Sequence, residues 1–321
     1  MTQTPSALLG DLGATNARFA LADARGIRDT HVLRCAEYPS LFTAASAYLD
    51  KVQPPRPPRH AAFAIASPII GDTVEMTNHA WSFSIAELTD QLALDRLEVV
   101  NDFTAQALAV LHLSDTDRTQ VGGGAPEPGQ TIGVLGPGTG LGVSGLVPSR
   151  ERWTPLAGEG GHVTMSAVND REGDVFRRLR LRFNHVSAER VLSGMGLSNL
   201  YETLAAIDGV DIPAREPREV TEAARGQSDP RAVEAVEMFC AMLGTVAGNL
   251  ALTLGARGGV YIAGGVVPKL GQLFLRSEFR ERFEAKGRFR GYLAPIPTYL
   301  VTHPTPAFLG LKSVLDKPQL G

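Results

Sequence analysis

The segment from Leu8 to Leu21 constrains the fold of this chain more than any other. Residues 7–23 read as two apolar, β-prone strands joined by a tight turn that carries an acid, two glycines, a Thr and an Asn: Gly10, Asp11, Leu12, Gly13, Ala14, Thr15 and Asn16. Two strands meeting at such a turn form a hairpin whose backbone N–H groups and small hydroxyls point outward. That geometry is a phosphate cradle with one carboxylate beside it. A carboxylate repels a bare phosphate, so the arrangement makes sense with a cation between them, most simply the Mg²⁺ of a nucleotide. The plainer reading is a surface hairpin that uses Gly for its turn.

With 321 residues the chain has length for two domains, each with its own core. Hydrophobic residues make up 44% and charged residues 20%, an ordinary globular balance. A net charge of −3 argues against a nucleic-acid partner. Cys35 and Cys240 lie far apart in apolar settings and read as reduced core residues of a cytoplasmic protein, too few for a zinc site. Met1 to Pro5 show no basic segment leading into an apolar run, so no export signal is expected. The apolar runs read as too short or too interrupted to cross a membrane.

Along the chain, helix patterning follows from Ser40 to about Lys51, and the prolines between Pro54 and Pro58 mark a stiff connector. His60 to Ala66 reads as a buried strand. Ser84 and Glu87 have the spacing of a capping box. Leu97 to Val100 is a short strand that delivers Asn101-Asp102 before Thr104 opens a helix. The polar, Gly- and Pro-rich stretch from Asp115 to Gln130 reads as a domain border. Thr131–Leu135 and Gly142–Val147 are strands around the turn Gly136-Pro137-Gly138-Thr139-Gly140, a coarse echo of the first hairpin. Five arginines between residues 170 and 184 fit the solvated face of an amphipathic helix. Apolar residues at helical spacing from Arg231 to Leu254 give a long, largely buried helix, and Val260–Ala263 a central strand that ends at Gly264-Gly265.

Several motifs are absent. No Walker-type G-x-x-x-x-G-K-[ST], no G-x-S-x-G and no H-E-x-x-H occurs. Gly140 to Gly145 matches G-x-G-x-x-G, but strand follows it, so it lacks the helix that a dinucleotide fingerprint needs. The positive signals are small polar clusters at strand ends. Asn101-Asp102 sits where ligands meet α/β sheets; a carboxylate there can accept a hydroxyl proton while the amide orients the hydroxyl, or the pair simply caps a helix. Gly158-Glu159-Gly160-Gly161-His162 strips bulk from around an acid and an imidazole, as a polyol site requires, or forms a flexible turn. His185 to Arg190 adds Glu189, with Ser187 as a helix cap.

Together these segments closely resemble the bacterial glucokinases of the hexokinase and actin-like ATPase superfamily, nearly end to end. "GDLGATNARFAL" resembles that family's first phosphate loop, "NDFTA" its catalytic segment and "GPGTGLGV" its second phosphate loop. "GEGGH" and "HVSAERVLSG" resemble its sugar-binding segments, "GNLAL" and "GGVYIAGGVVP" its adenosine pocket, and "MTNHAWSFS" is also family-like. The resemblance implies a two-domain actin-like ATPase fold (ribonuclease H-like α/β) with an active-site cleft between residues 1–112, joined by a helix over 303–321, and residues 113–302. It implies an ATP-dependent kinase that turns D-glucose into glucose 6-phosphate, cytoplasmic and homodimeric, with neither nucleic acid nor membrane as partner. Carried over by position, Asp102 is the catalytic base. Asn101, Glu159, His162 and Glu189 bind the sugar, the last three as buried polar groups that its hydroxyls must pair, with Thr139 and Gly140 beside it. Gly10 to Thr15, Gly138 and Thr139 hold phosphates, Asp11 acts on Mg²⁺ through water, and Gly264 and Gly265 border the adenosine. Ala14 stands where a Gly is common in the family, and Pro137 where a smaller residue is usual. The cysteine-rich zinc motif of the related ROK kinases is absent. A kinase of another hexose, or a sugar-sensing regulator on the same fold, remains as an alternative. A regulator of that kind adds a DNA-binding domain, for which a first strand beginning within ten residues leaves no room.

Overall fold

In the computed structural model, residues 6–76, 79–150 and 152–316 are described. Met1–Pro5, Thr77 and Asn78 of the "MTNHAWSFS" segment and the last five positions of the expected 303–321 helix lie outside them. The chain divides into two compact units, residues 6–113 with 304–316, and residues 114–303.

The first unit is built on β1 (Ala7–Leu12), β2 (Asn16–Asp23), β3 (Gly26–Arg34), β4 (His60–Ile65) and a later strand, with β5 (Thr73–Glu75) and β6 (Ser82–Ser84) as a separate small hairpin. Its helices are α1 (Leu41–Val52), α2 (Ile85–Gln91), α3 (Asp102–Ala109) and, from the far end of the chain, a last helix over Pro306–Leu315. The later strand is β7 (Arg96–Asn101), and the sheet order is β3-β2-β1-β4-β7. β1, β4 and β7 are parallel, whereas β2 and β3 run antiparallel to their neighbours.

Strand alternation sorts the side chains between two faces. Leu8, Leu12, Phe63 and Ile65 join Phe19, Tyr48 and Trp81 in one core. Leu9, Ala62 and Ala64 face Ala105, Phe308 and Leu311 of the helices on the other. The alanines on that second face leave room for helices to lie close. At Gly310 a side chain would collide with the Ala105 carbonyl of α3.

The second unit carries β8 (Arg118–Val121), β9 (Ile132–Pro137), β10 (Leu141–Pro148), β11 (Trp153–Gly158), β12 (Val260–Ile262) and β13 (Thr298–Val301), in the order β11-β10-β9-β12-β13-β8. Its main helices are α4 (Asp170–Phe183), α5 (Gly194–Ile207), α6 (Pro217–Arg225) and α7 (Pro230–Leu254). Shorter ones follow: α8 (Val267–Leu270), α9 (Gln272–Leu275), α10 (Phe279–Glu284) and α11 (Arg290–Leu293), so the Pro306–Leu315 helix is α12. The first five strands of this order repeat the topology of the other sheet. In each, an antiparallel meander of three strands has its first strand parallel to the two that come later in sequence. This is the structural basis of the echo between the two glycine turns.

Local expectations are corrected in several places. α7 is long and apolar enough by length and composition to cross a membrane, contrary to the reading of the apolar runs; 78% of its most apolar window is buried inside the protein. Asp229 caps it, Pro230 starts it, and Gly255 ends it at φ 62°. The Asp115–Gln130 stretch is not all connector, because β8 pairs with β13. Ser84 accepts from the Glu87 N–H at 3.1 Å, but the partner of its hydroxyl is Asp72, which also takes the Ala86 N–H at 2.9 Å. α3 begins at Asp102 rather than Thr104, because Asn101 is its cap. Ser187 stands at the N-cap position of a 3₁₀ turn, Ala188–Arg190, but its side chain makes no capping bond; Ser193 caps α5, accepting from Gly196 N–H at 3.0 Å.

Candidate functional site

In the first unit, parallel pairing fixes where the expected residues lie. Leu12 is abreast of Ile65, and Ile65 is abreast of Asn101. The turn after β1 and the pair Asn101-Asp102 therefore share the carboxyl ends of parallel strands, two strand spacings or roughly 10 Å apart.

The turn itself is Gly13-Ala14-Thr15. Gly13 N–H donates to the Asn16 carbonyl at 3.0 Å, and the chain at Cys35 braces the loop: its N–H donates to the Thr15 carbonyl at 3.0 Å and its thiol to the Gly13 carbonyl at 3.3 Å. None of Gly13, Ala14 and Thr15 has a left-handed backbone, so Ala14 fits without strain. Gly10 is required by packing: a Cβ there would lie 2.7 Å from the Phe63 ring. Asp11 faces Arg18 across the hairpin at 3.2 Å, with its side chain 22% exposed. Burial holds its carboxyl above the usual aspartate range, against the opposing pull of Arg18. Arg18 was not singled out from the sequence, although the hairpin register that pairs Leu12 with Ala17 also sets Asp11 opposite it.

At the end of β7, Asn101 Oδ1 accepts from the N–H groups of Phe103 at 2.9 Å and Thr104 at 3.3 Å. The capping alternative is thus realised for Asn101, and its Nδ2 is left near the Ser67 carbonyl at 3.4 Å. Asp102 Oδ1 also accepts from Phe103 N–H, at 2.8 Å, which fixes the carboxylate at the head of α3.

In the second unit, four segments converge on the carboxyl ends of β9 and β12. Gly138-Thr139-Gly140 closes the β9–β10 hairpin, with Gly138 N–H donating to the Gly140 carbonyl at 2.8 Å. The start of α5 is tied to it by Gly194 N–H donating to the Gly138 carbonyl at 2.9 Å. Pro137 fits because its missing N–H is not needed and its carbonyl accepts from Val266 N–H at 3.1 Å. Gly264, at φ 81°, is pressed against that same Pro137 carbonyl, whereas Gly138 and Gly265 face open space.

Gly160 to His162 form a single 3₁₀ turn on β10. A Cβ at Gly160 would lie 2.8 Å from Val143, and one at Gly161 would collide with the Leu141 carbonyl. These two glycines are therefore needed to bring the backbone onto β10. Their packing turns Glu159 and His162 outward, 63% and 59% exposed and 3.9 Å apart, which corrects the expectation of buried polar groups. Glu189 is half-buried, and its Oε2 accepts from Leu141 N–H at 2.9 Å. The chain that follows the Gly160–His162 turn is stitched to the His185–Arg190 segment by Ala188 N–H to the Val163 carbonyl at 2.9 Å and Met165 N–H to the Val186 carbonyl at 3.0 Å.

Among the described residues no group of three or more His, Cys, Asp or Glu side chains could hold a metal ion. A cation at Asp11 would have to bring its other ligands with it, as nucleotide-bound magnesium does. Two grooves in the second unit, of about 340 Å³ beside α4 and α5 (Leu181, Arg182, Glu202) and about 480 Å³ at the start of α4 (Val168, Asp170, Asp174), include none of these residues.

Residues 8–318 match the family model described as Glucokinase. The chain is 54% identical over 315 residues to a protein named Glucokinase from Paramagnetospirillum magneticum, covering 97% of this chain and 98% of that one. It is also 54% identical over 310 residues to a "Bifunctional protein glk" from Burkholderia pseudomallei, but spans 48% of that longer protein. A crystal structure of glucokinase from an Antarctic psychrotroph superposes with a TM-score of 0.88 at 35% identity, covering 98% of this chain and 99% of that one.

Proposed function

The chain belongs to the glucokinase family, and on that premise we propose how its own residues divide the work of phosphorylating D-glucose at the 6-hydroxyl with ATP. The fold is the actin-like ATPase fold of its relatives. The observation that carries the assignment of roles is the placing of Asp102. It stands at the head of α3, at the carboxyl end of a parallel strand, two strands from the first glycine turn.

Phosphoryl transfer depends mainly on positioning and on charge neutralisation. Asp102, held through Oδ1 by Phe103 N–H, accepts the proton of the 6-hydroxyl as that oxygen bonds to the γ-phosphorus and ADP departs. Asn101 reaches the sugar through Nδ2, since Oδ1 is engaged by the helix cap. Glu159, His162 and Glu189 pair the remaining hydroxyls, and the exposure of the first two leaves them accessible to a sugar. Gly10 to Thr15 and Gly138-Thr139 cradle phosphates, with the amides of Ala14 and Thr15 as donors. Gly264 and Gly265 border the adenosine. Asp11 fits a nucleotide-bound Mg²⁺, because its buried carboxyl is only partly balanced by Arg18. The ion supplies charge neutralisation of the phosphates when bound. Likeness to the family also supports a cytoplasmic homodimer; light scattering that gives the mass of one chain would overturn the dimer.

A coupled assay over a panel of sugars tests the reading. Glucose should be the best substrate, and Asp102→Asn should lower turnover by roughly 10²–10⁴-fold with glucose affinity less affected. Near wild-type turnover in folded Asp102→Asn would remove Asp102 from this role. Faster phosphorylation of an N-acetylated hexosamine would overturn glucose as the substrate.

A further inference from the structure

We infer that the peptide unit of Leu141 is the node that positions the sugar-binding carboxylate of Glu189, and that Gly140 is a glycine because that carboxylate needs the space. The inference rests on the reading of Glu189 as a sugar ligand and extends it to the backbone that holds its carboxylate.

Leu141 begins β10 opposite Pro137. The Pro137 carbonyl is engaged by Val266 N–H, and the Leu141 N–H is taken by Glu189 Oε2 at 2.9 Å. An amide donating to a carboxylate is a charge-assisted bond, stronger than its neutral counterpart. On the other side of the same residue, the Leu141 carbonyl lies against Gly161, where any Cβ would strike it. One residue thus touches the second glycine turn, the Gly160–His162 turn and Glu189. A side chain at Gly140 would collide with Glu189 Oε2. The backbone of Gly140 lies outside the left-handed region, so alanine is compatible with its conformation and meets only the carboxylate. Gly138, by contrast, has open space where a Cβ would be.

Gly140→Ala should therefore act on glucose rather than on ATP. The expected result is a glucose Kd and KM raised roughly tenfold, the scale of one lost hydrogen bond to a charged group, with the KM for ATP unchanged. In a Glu189→Ala background the same substitution should cost nothing further, because the obstructing carboxylate is gone. Hydrogen exchange at the Leu141 amide, read by NMR without sugar, should be slow in wild type and faster in both single variants. Equal exchange in all three proteins overturns the node whatever the sugar data say. A Gly140→Ala that raises the KM for ATP instead, or losses that add in the double variant, overturns the role given to Gly140. Glucose binding undiminished in Glu189→Ala would instead refute Glu189 as a sugar ligand, which the exchange data keep distinct from the node itself.

Discussion

The buried pair Glu172–Arg282 gives the most demanding test of what holds the second unit together. Arg282 of α10 donates to Glu172 Oε1 at 2.7 Å, and the two side chains are 10% and 2% exposed. Its second guanidinium nitrogen donates to Thr245 Oγ1 of α7 at 2.9 Å, and Glu172 Oε2 accepts from Val168 N–H at 2.8 Å. One carboxylate thus joins α4 to α10, and through Arg282 to α7, and pins the loop that leads from His162 into α4. Glu172→Leu strands a guanidinium in a site that no longer neutralises it. Breaking a buried pair from one side costs about 3–5 kcal/mol, whereas replacing both partners with apolar groups is often close to neutral. For a unit of this size 1 kcal/mol moves Tm by about 2–4 °C, so the single variant should melt roughly 6–20 °C lower. Glu172→Leu with Arg282→Leu should recover most of that loss. Trp81 and Trp153 lie in different units, so a Trp81→Phe background leaves Trp153 fluorescence as the reporter of the second unit alone. A single variant that melts within 2 °C of its parent, or a double variant that melts lower than the single, would refute the reasoning.

Two further outcomes follow from charged groups. Asp11→Ala should lower ATP-dependent turnover at least tenfold, on the scale of a lost charge contact, while calorimetric glucose binding stays as in the parent; an equal loss of glucose binding would make Asp11 structural. Asp229 is pushed up by burial but held below its ordinary value of 3.8 by the Tyr201 hydroxyl, the Arg231 N–H and the Arg215 charge. Its contribution to stability is complete above about pH 4 and lost as pH falls through the depressed value. Urea melts from pH 7 to pH 2 should therefore show Asp229→Asn weaker than wild type at pH 7 and the gap closing in acid; a gap that widens in acid would reverse the assignment.

What the sequence disclosed was whatever depended on neighbours in the chain. Alternation and small turn residues reveal β1, β2, β9 and β10, and helical spacing reveals α7, because each of these signals is complete within its own segment. β8 escapes notice because an edge strand needs only one partner, and that partner is β13, which follows nearly the whole of the second unit. Glu159 and His162 are found by composition, but their exposure is not. It follows from Gly160 and Gly161 packing onto β10, a contact the local pattern does not encode. Ser84 shows the same limit on a smaller scale: the motif names Glu87, and the fold supplies Asp72.

The two glycine turns show how one sequence signal can have two physical causes. Both close the first hairpin of a five-strand arrangement that the two sheets share. In the first, the acid is local: Asp11 lies within β1, and Gly10 beside it is bare because Phe63 of the neighbouring strand occupies the place of its side chain. In the second, no acid lies in the turn. Its carboxylate comes from Glu189, nearly fifty residues later, and Gly140 is bare because that carboxylate fills the gap. A glycine read only as conformational freedom misses both causes, since neither residue uses a left-handed backbone. Each is instead a close approach, in one case by the Phe63 ring and in the other by the carboxylate of Glu189, the residue proposed to bind the sugar. Substitution at Gly10 should therefore register in stability, and substitution at Gly140 in sugar affinity.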